Sequence, residues 1–200
     1  MEKFTEFELN QKMILAHFGD NEFKVSETGK VEFDVGKYYD NNSDKERNKD
    51  ALSLGQILQA VNYAVDLGIE RRNVVYKDYE YTAINKWGIL YIGLDLYPKK
   101  NTLSATRYAN SRVSWRGVIA HEIVGHYEAG LENETLDMLC LEEGQASIRA
   151  ARFAPELTMV ERITALRDGI MRLYNSGFKA KEVKDNLFIS KRRRDKFGNN

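Results

Sequence analysis

The sequence predicts a small α+β domain that is mostly helical, with a short sheet preceding its central helix. Apolar residues recur at helical spacing in the first half of the chain, and two later runs, 72–84 and 87–98, have the composition of strands. Helical patterns follow them, and this order is typical of an α+β domain. The 200 residues fit a single domain, 1–200, in which 1–50 is poorly defined and 190–200 is a basic tail.

The first predicted helix begins after Ser53, which can form a capping box with Gln56, and it ends at Gly68. Its apolar positions are Leu54, Ile57, Leu58, Val61 and Val65. In the second strand-like run, alternate residues share one face until Pro98 stops the strand. The residues of that face are Leu90, Ile92, Leu94 and Leu96.

Three further helices are predicted in the second half of the chain. The one that carries "HEIVGH" (121–126) should end at Gly130, and the next should run from about Thr135 to Phe153. The capping box "TMVE" (158–161) opens the third. Its apolar stripe consists of Leu157, Val160, Ile163, Leu166, Ile170 and Leu173.

Composition and charge exclude several classes of protein. Thirty basic and thirty acidic residues cancel, so the total charge favours neither nucleic acid nor a membrane surface as a partner. The single cysteine, Cys140, excludes an internal disulfide framework. No apolar run approaches the roughly 20 residues that span a bilayer, and the first residues lack the apolar segment of a signal peptide. We therefore expect a soluble, cytoplasmic protein, or an effector translocated without a conventional signal peptide.

The segment "HEIVGH" places His121 and His126 five residues apart, one more than in the His-Glu-x-x-His signature of zinc proteases. On a regular α-helix this spacing separates the two side chains by about 140°, which is too far to share one metal ion. A π-bulge, with its i→i+5 hydrogen bond, absorbs the extra residue, and Gly125 can tolerate the distortion at low steric cost. The helix should therefore be irregular between about Ile119 and Tyr127.

A zinc site needs a third protein ligand, and the chain has only three histidines. His17 lies in the apolar context "ILAHFG", which favours a packed side chain. Glu142 and Glu143, in "LCLEEGQASIRA" (139–150), lie on an otherwise apolar helix. Adjacent carboxylates are costly to bury there unless positive charge meets them, and a divalent cation would supply it.

Together, "HEIVGH" and "LEEGQA" (141–146) resemble the motifs of the tyrosine carboxypeptidase family of zinc peptidases. Bacterial members of that family are described as QEGLA-motif proteins. The resemblance covers about residues 105–150 and includes the run "NSRVSWRGVIA" before the motif helix. Gln145 stands where the family has leucine.

The resemblance implies a zincin-like fold and a zinc-dependent metallopeptidase. Carried over residue by residue, it makes His121, His126 and Glu143 the ligands of Zn²⁺. Glu122 becomes the general base. Zincin-like enzymes place a strand before the metal helix that can pair with an extended peptide, and residues 88–96 fit that position. The expected partner is therefore a protein or peptide substrate.

Other interpretations of the same residues stay open. Glu122 and His126 are four apart and share a face of a regular helix, so they could belong to a different, carboxylate-rich metal site. The domain could also be a catalytically silent zincin-like binding domain, or a toxin or effector that uses the same site. The basic run "KRRRDK" (191–196) would be the contact surface of a nucleic-acid-binding module, although solvated tails of this kind are common.

Four polar residues near the motif have two interpretations each. Tyr108 and Tyr127 could donate to an oxyanion or pack in the core. Arg112 and Arg116 could receive a substrate carboxylate or form surface ion pairs.

Overall fold

The computed structural model describes residues 23–25, 31–33, 47–78, 81–98, 112–130, 139–175, 177–184, 186–187 and 189. The chain divides into two compact units, Met1–Asp40 and Asn41–Asn200. In the first unit, strands β1 (Phe23–Val25) and β2 (Val31–Phe33) pair antiparallel. The other described elements belong to the second unit.

The first helix of the second unit, α1, spans Leu54–Asp66 and confirms the predicted capping box. The Ser53 hydroxyl accepts a hydrogen bond from the Gln56 amide at 3.3 Å, and the Gln56 side chain accepts one from the Ser53 amide at 2.9 Å. Gly68 follows the helix with φ +95°, a left-handed conformation that glycine adopts without strain. The end of the helix is therefore also where the sequence predicts it.

The buried face of α1 differs from the predicted apolar stripe. Leu54 and Leu58 are 71% and 46% exposed. The buried residues are Ala60, Tyr63 and Ala64. The Tyr63 ring packs edge-on against Trp115 of the central helix, with ring centroids 5.7 Å apart. The helical spacing is confirmed, and Ile57 and Val61 of the predicted stripe pack against the core.

Three short strands form a mixed sheet in the order β3–β5–β4. Their bounds are Val74–Tyr76 (β3), Ala83–Ile84 (β4) and Leu90–Ile92 (β5). The middle strand, β5, runs parallel to β3 and antiparallel to β4. A 3₁₀ turn, Arg71–Asn73, precedes β3. A small sheet among helices confirms the α+β class and the position of the sheet before the central helix.

The predicted strands are longer than the observed ones. The run 72–84 contains two separate strands, and the chain leaves β5 at Gly93 to form a 3₁₀ turn, Leu94–Leu96. The Thr82 hydroxyl accepts the Gly93 amide at 3.0 Å, and the Thr82 hydroxyl and amide donate to Asp95 at 2.9 and 2.8 Å. These side-chain bonds replace a continued strand ladder. The predicted inward face is still buried at Leu90, Ile92 and Leu96.

The central helix begins behind Ser114, whose hydroxyl accepts the Gly117 amide at 3.1 Å. It is α-helical over Trp115–Ala120 (α2) and becomes a π-helix over His121–Tyr127. The segment ends in a turn at Gly130, which has φ +66°. Gly130 is therefore the terminating residue that the sequence predicts.

Three helices follow the central one. Their bounds are Leu139–Phe153 (α3), Met159–Asn175 (α4) and Ala180–Val183 (α5). The predicted end of α3 at Phe153 is confirmed, and its predicted start at Thr135 lies outside the described residues. The capping box of α4 is confirmed, because the Thr158 amide donates to Glu161 at 2.8 Å and the Glu161 amide donates to the Thr158 hydroxyl at 3.3 Å.

Two glycines allow α3 and α4 to pack closely. A Cβ on Gly144 would lie 2.7 Å from Leu173 Cγ, and a Cβ on Gly169 would lie 2.7 Å from the Gly144 carbonyl oxygen. Both positions need glycine because the helices approach more closely than a side chain permits. In the predicted stripe of α4, Leu157, Ile163 and Leu173 are buried, whereas Val160 is exposed.

The main core lies between α1, the sheet, the central helix and α3. Its completely buried side chains include those of Ala60, Ala64, Leu90, Ile92, Leu96, Ile119, Ala120 and Ala150. A smaller cluster joins α3 to α4 and α5 through Leu141, Ile148, Leu173 and Val183. His121 directly follows two core residues of the central helix, so its backbone is anchored in the core. In the part of the chain that the structure describes, no helix has the length and apolar character needed to cross a membrane.

Arg47 connects the sheet region to the start of the central helix. Its buried guanidinium donates to three backbone carbonyls, those of Asp95 at 2.9 Å, Leu96 at 2.7 Å and Val113 at 2.7 Å. Asp95 and Leu96 lie in the 3₁₀ turn, Val113 lies just before the central helix, and a buried carbonyl without a donor is costly. This side chain therefore fixes the sheet region relative to the helix that carries both histidines.

Replacing Arg47 with methionine should lower the free energy of unfolding by about 3 kcal/mol, because buried carbonyls lose a charged donor. Chemical denaturation measures the change. Arg72→Met is a matched control, because the Arg72 side chain is 81% exposed and forms a surface pair with Glu70. The control should change stability by less than about 0.5 kcal/mol. Equal stability of the two variants would contradict the anchoring role of Arg47.

Candidate metal centre

The π-helix brings the two histidines of the motif onto one face. The Glu128 amide donates to the Ile123 carbonyl at 2.8 Å, five residues back, so the turn is wider than in an α-helix. His121 Nε2 and His126 Nε2 consequently lie 3.0 Å apart, with the ring planes at 79°. The predicted irregularity of this segment is confirmed.

Gly125 is needed in the π-helix for a reason that differs from the predicted one. Its φ does not lie in the left-handed region, so the backbone itself does not require glycine. A Cβ at this position would instead lie 2.6 Å from the Ala146 carbonyl oxygen and 2.8 Å from Ala146 Cα. The glycine therefore allows α3 to lie directly against the widened turn.

Arg149 of α3 supports the same turn from inside the protein. Its completely buried side chain donates from Nε to the Val124 carbonyl at 3.0 Å. That carbonyl follows the acceptor of the i→i+5 bond, Ile123, at the point where the wide turn ends. Burial lowers the pKa of Arg149 to about 10. A costly buried cation thus donates to a backbone carbonyl within the π-helix.

Two adjacent carboxylates of α3 face the histidines from different sides. Glu143 Oε2 lies 3.2 Å from His121 Nε2, and Glu143 Oε1 lies 3.5 Å from His126 Nε2. Glu142 Oε1 lies 3.3 Å from His126 Nδ1, on the other side of that ring. Glu143 therefore lies with the converging Nε2 atoms, and Glu142 lies behind His126.

The spacing of the converging atoms is close to that of a tetrahedral zinc site. With metal–ligand bonds of about 2.0–2.2 Å, neighbouring ligand atoms of such a site lie about 3.3–3.6 Å apart. The separations here are 3.0 Å between the Nε2 atoms of His121 and His126, and 3.2 and 3.5 Å from them to the Glu143 oxygens. Only the 3.5 Å separation lies in this range, so the two shorter ones would have to lengthen by a few tenths of an ångström around such an ion.

Glu122 lies beside the histidine pair and contacts the sheet. Its Oε2 accepts the amide of Ile84, in β4, at 3.1 Å. The ligand atoms of His121, Glu122 and His126 all lie within 4.8 Å of one another, so this group could hold a metal ion. Burial raises the pKa of Glu122, the two histidines lower it, Glu143 raises it further and the Ile84 amide lowers it. Glu122 is thus close enough to serve as a ligand or as a base.

The carboxylates create an environment that stabilises positive charge at His126. Burial alone lowers the pKa of His126, but hydrogen bonds to Glu142 and Glu143 raise it to about 10. Burial alone raises the pKa of Glu143, but its hydrogen bonds to His121 and His126 and the charge of Arg172 hold it well below its usual range. The site is therefore electrostatically suited to a cation.

No protein-family model, no curated protein and no solved structure matches the chain. Membership of the tyrosine carboxypeptidase family, which the two motifs suggest, therefore stays a prediction. What the site can do has to follow from its own geometry.

Three side chains at the site were not predicted from the sequence. Arg172 of α4 donates from Nη1 to Glu143 Oε2 at 2.7 Å and from Nε to Asp168 Oδ2 at 2.8 Å. Ser147 lies one turn after Glu143 on α3, and its hydroxyl is 2.9 Å from His121 Nδ1. One sequence signal could have indicated the α4 pair: an aspartate and an arginine four residues apart within a largely apolar helix.

Two of the remaining candidate residues, Tyr127 and Arg116, lie against apolar or aromatic neighbours. Tyr127 packs with the main core and against Gly88, where a Cβ would lie 2.8 Å from the Tyr127 hydroxyl. The Arg116 guanidinium lies over the Trp115 ring at 5.2 Å. His17, Tyr108 and the basic run 191–196 lie outside the described residues.

Gly125→Ala should weaken metal binding and lower stability by about 1–3 kcal/mol, because the new Cβ would push α3 away from the π-helix. Glu142 and Glu143 would move with α3. Gly55→Ala in α1 is the control, because a Cβ there meets nothing within 4 Å. It should leave metal binding unchanged and alter stability by less than about 1 kcal/mol. Metal titration and chemical denaturation measure both effects, and unchanged metal affinity in Gly125→Ala would contradict the close-packing argument.

Proposed function

We propose that the second unit is a zinc-dependent metallopeptidase domain with a zincin-like site. The observation that supports this most is the convergence of His121 Nε2, His126 Nε2 and the Glu143 carboxylate, with Glu122 beside them. Two imidazoles and a carboxylate are the protein ligands of catalytic zinc sites such as that of thermolysin, which keep a fourth position open. The five-residue spacing of the histidines is compatible with this chemistry because the helix between them is a π-helix.

Glu143 is the proposed third ligand, and Glu122 and Glu142 have other roles. Both Glu143 oxygens face the Nε2 atoms, whereas Glu142 contacts the opposite nitrogen of His126. Glu142 therefore orients that ring, as carboxylates commonly do for metal-binding histidines. A zinc ion held here would polarise a substrate carbonyl and lower the pKa of a coordinated water.

Glu122 is the proposed general base. It accepts a proton from the attacking water and then delivers it to the leaving amine of the cleaved peptide bond. Its raised pKa brings its protonation closer to neutral pH, which favours both transfers. The Ile84 amide holds one oxygen of Glu122 at 3.1 Å, so the carboxylate is oriented before substrate arrives.

The substrate peptide is proposed to lie along β4. Residues 88–96 contain β5, which has β3 on one side and β4 on the other, so the expectation that they pair with a peptide is wrong. Among the described strands of this sheet, β4 and β3 are the two edge strands, and β4 is the one that contacts Glu122. The Asn85 amide donates to the Ile89 carbonyl, so the preceding amide, that of Ile84, points away from β5 and toward Glu122. A peptide at this edge would lie next to the base.

The central test is zinc content and peptide cleavage in Glu122→Gln beside the wild type. Glutamine keeps the size of the side chain but accepts no proton, so zinc should be retained while the cleavage rate falls by about 10²–10⁴-fold. Elemental analysis measures zinc, and mass spectrometry of a mixed peptide library measures cleavage. Glu182→Gln, at a 49% exposed side chain in α5, is the control and should match the wild type.

Each other outcome of this test has a distinct meaning. A wild type that binds zinc and cleaves no peptide would indicate a catalytically silent binding domain. Loss of zinc in Glu122→Gln would make Glu122 a ligand in place of Glu143. His126→Ala should lose both zinc and activity, and a wild type that binds no zinc after dialysis against zinc would falsify the proposal.

Ile84→Pro should slow cleavage by about 10- to 100-fold, because it removes a hydrogen bond to the charged base and that bond is worth about 1.5–3 kcal/mol. Stability should fall because Ile84 packs against the core, but proline itself is tolerated at an edge position whose N–H points away from the sheet. Ile84→Val keeps the amide and is the control. Steady-state kinetics and thermal unfolding measure both variants, and equal rates in the two would show that the amide does not position Glu122.

A further inference from the structure

A ring of hydrogen bonds connects His121 to Glu143 through three residues that do not contact the converging Nε2 atoms. His121 Nδ1 lies 2.9 Å from Ser147 Oγ, and Ser147 Oγ donates to Asp168 Oδ2 at 2.6 Å. Arg172 then donates to Asp168 Oδ2 at 2.8 Å and to Glu143 Oε2 at 2.7 Å. The ring closes where Glu143 Oε2 lies 3.2 Å from His121 Nε2.

The chemistry of these groups fixes the direction of the bonds. Ser147 has one hydroxyl proton, and an ionised Asp168 can only accept it. The Ser147 oxygen is then left to accept from His121, so Nδ1 of that ring carries the proton. A neutral imidazole protonated on Nδ1 has its lone pair on Nε2, the atom that faces His126 and Glu143.

Arg172 links the two halves of the ring with one rigid side chain. Its Nε contacts Asp168 while its Nη1 contacts Glu143, an arrangement that uses the planar fork of a guanidinium. Asp168 and Ser147 are buried, at 4% and 1% exposure, so little water competes for these bonds. Arg172 of α4 thereby holds the Glu143 carboxylate of α3 next to His121 of the π-helix.

We propose that Ser147, Asp168 and Arg172 are positioning residues of the metal site. Ser147, backed by Asp168, sets the tautomer of His121, and Arg172 fixes the Glu143 carboxylate. The proposal rests on the proposed function in one respect, that the histidine pair binds zinc. His126 needs no such intermediate residues, because Glu142 contacts its Nδ1 directly at 3.3 Å.

The first test is the zinc affinity of Ser147→Ala, measured by competition with a chelator of known affinity. Loss of the partner of a metal-binding histidine typically weakens binding about 10- to 100-fold, and this range is the expected result. Thr164→Val is the matched control. Thr164 also carries a buried hydroxyl, on α4, but donates it to the Val160 carbonyl four residues back. The control should bind zinc as the wild type does.

The second test is the tautomer itself, read from ¹⁵N–¹H correlation spectra of the histidine rings in the zinc-loaded wild type. His121 should carry its proton on Nδ1 and bind zinc through Nε2. Arg172→Lys keeps the charge but cannot reach both carboxylates, so it should also weaken zinc binding while leaving the His121 tautomer unchanged.

The outcomes separate this inference from the function on which it rests. Zinc binding by the wild type with equal affinity in Ser147→Ala and Thr164→Val would overturn the positioning role alone. So would a His121 ring protonated on Nε2. A wild type that binds no zinc would overturn the proposed function and the positioning role together.

Discussion

Two histidines five residues apart can face one point only if the helix between them changes its hydrogen-bond pattern, and the rest of the site depends on that change. The i→i+5 turn brings their Nε2 atoms to 3.0 Å, but it disturbs the regular pairing of helix carbonyls. The protein compensates with α3, where Arg149 donates to the Val124 carbonyl and the Ala146 backbone lies against Gly125. The unusual turn is thus stabilised by packing rather than by its own local sequence.

The same helix that supports the turn also supplies its chemistry, because α3 presents two neighbouring rows of side chains. Glu142, Ala146 and Arg149 recur at spacings of four and three, and all three contact the π-helix. Glu143 and Ser147, also four apart, form the adjacent row that faces His121 and α4. A shift of α3 would therefore disturb the turn, the carboxylates and the partner of His121 together, which ties the geometry of the site to the packing of the fold.

Local signals in the sequence predict the parts of the protein that local physics determines. The capping boxes at Ser53 and Thr158 and the stop at Gly130 follow from nearby residues, and all three are confirmed. The irregular helix around His121 is also confirmed, but its prediction came from the requirement that His121 and His126 share one ion. The shortened strands could not be predicted. The hydrogen bonds from Thr82 to Asp95 that accompany the end of β5 join residues 13 positions apart in the sequence. The positions of Asp168 and Arg172 at the site depend likewise on the close crossing of α3 and α4, and so could not be predicted. No pattern within one helix reveals which neighbour it will contact.

The tautomers proposed above would leave the centre of the site suited to a cation. If Ser147 and Glu142 both bind Nδ1 protons, the two Nε2 atoms direct lone pairs toward each other at 3.0 Å. Such a contact is repulsive unless a proton or a metal ion lies between the nitrogens. The surrounding carboxylates favour that positive charge. Arg172 holds one of them, Glu143, in place. Burial lowers the pKa of Arg172, whereas Asp168 and Glu143 raise it. Apolar side chains of similar size in these positions would give the core at least the same stability. The cost of burying so many ionised groups is understandable if the site binds a cation.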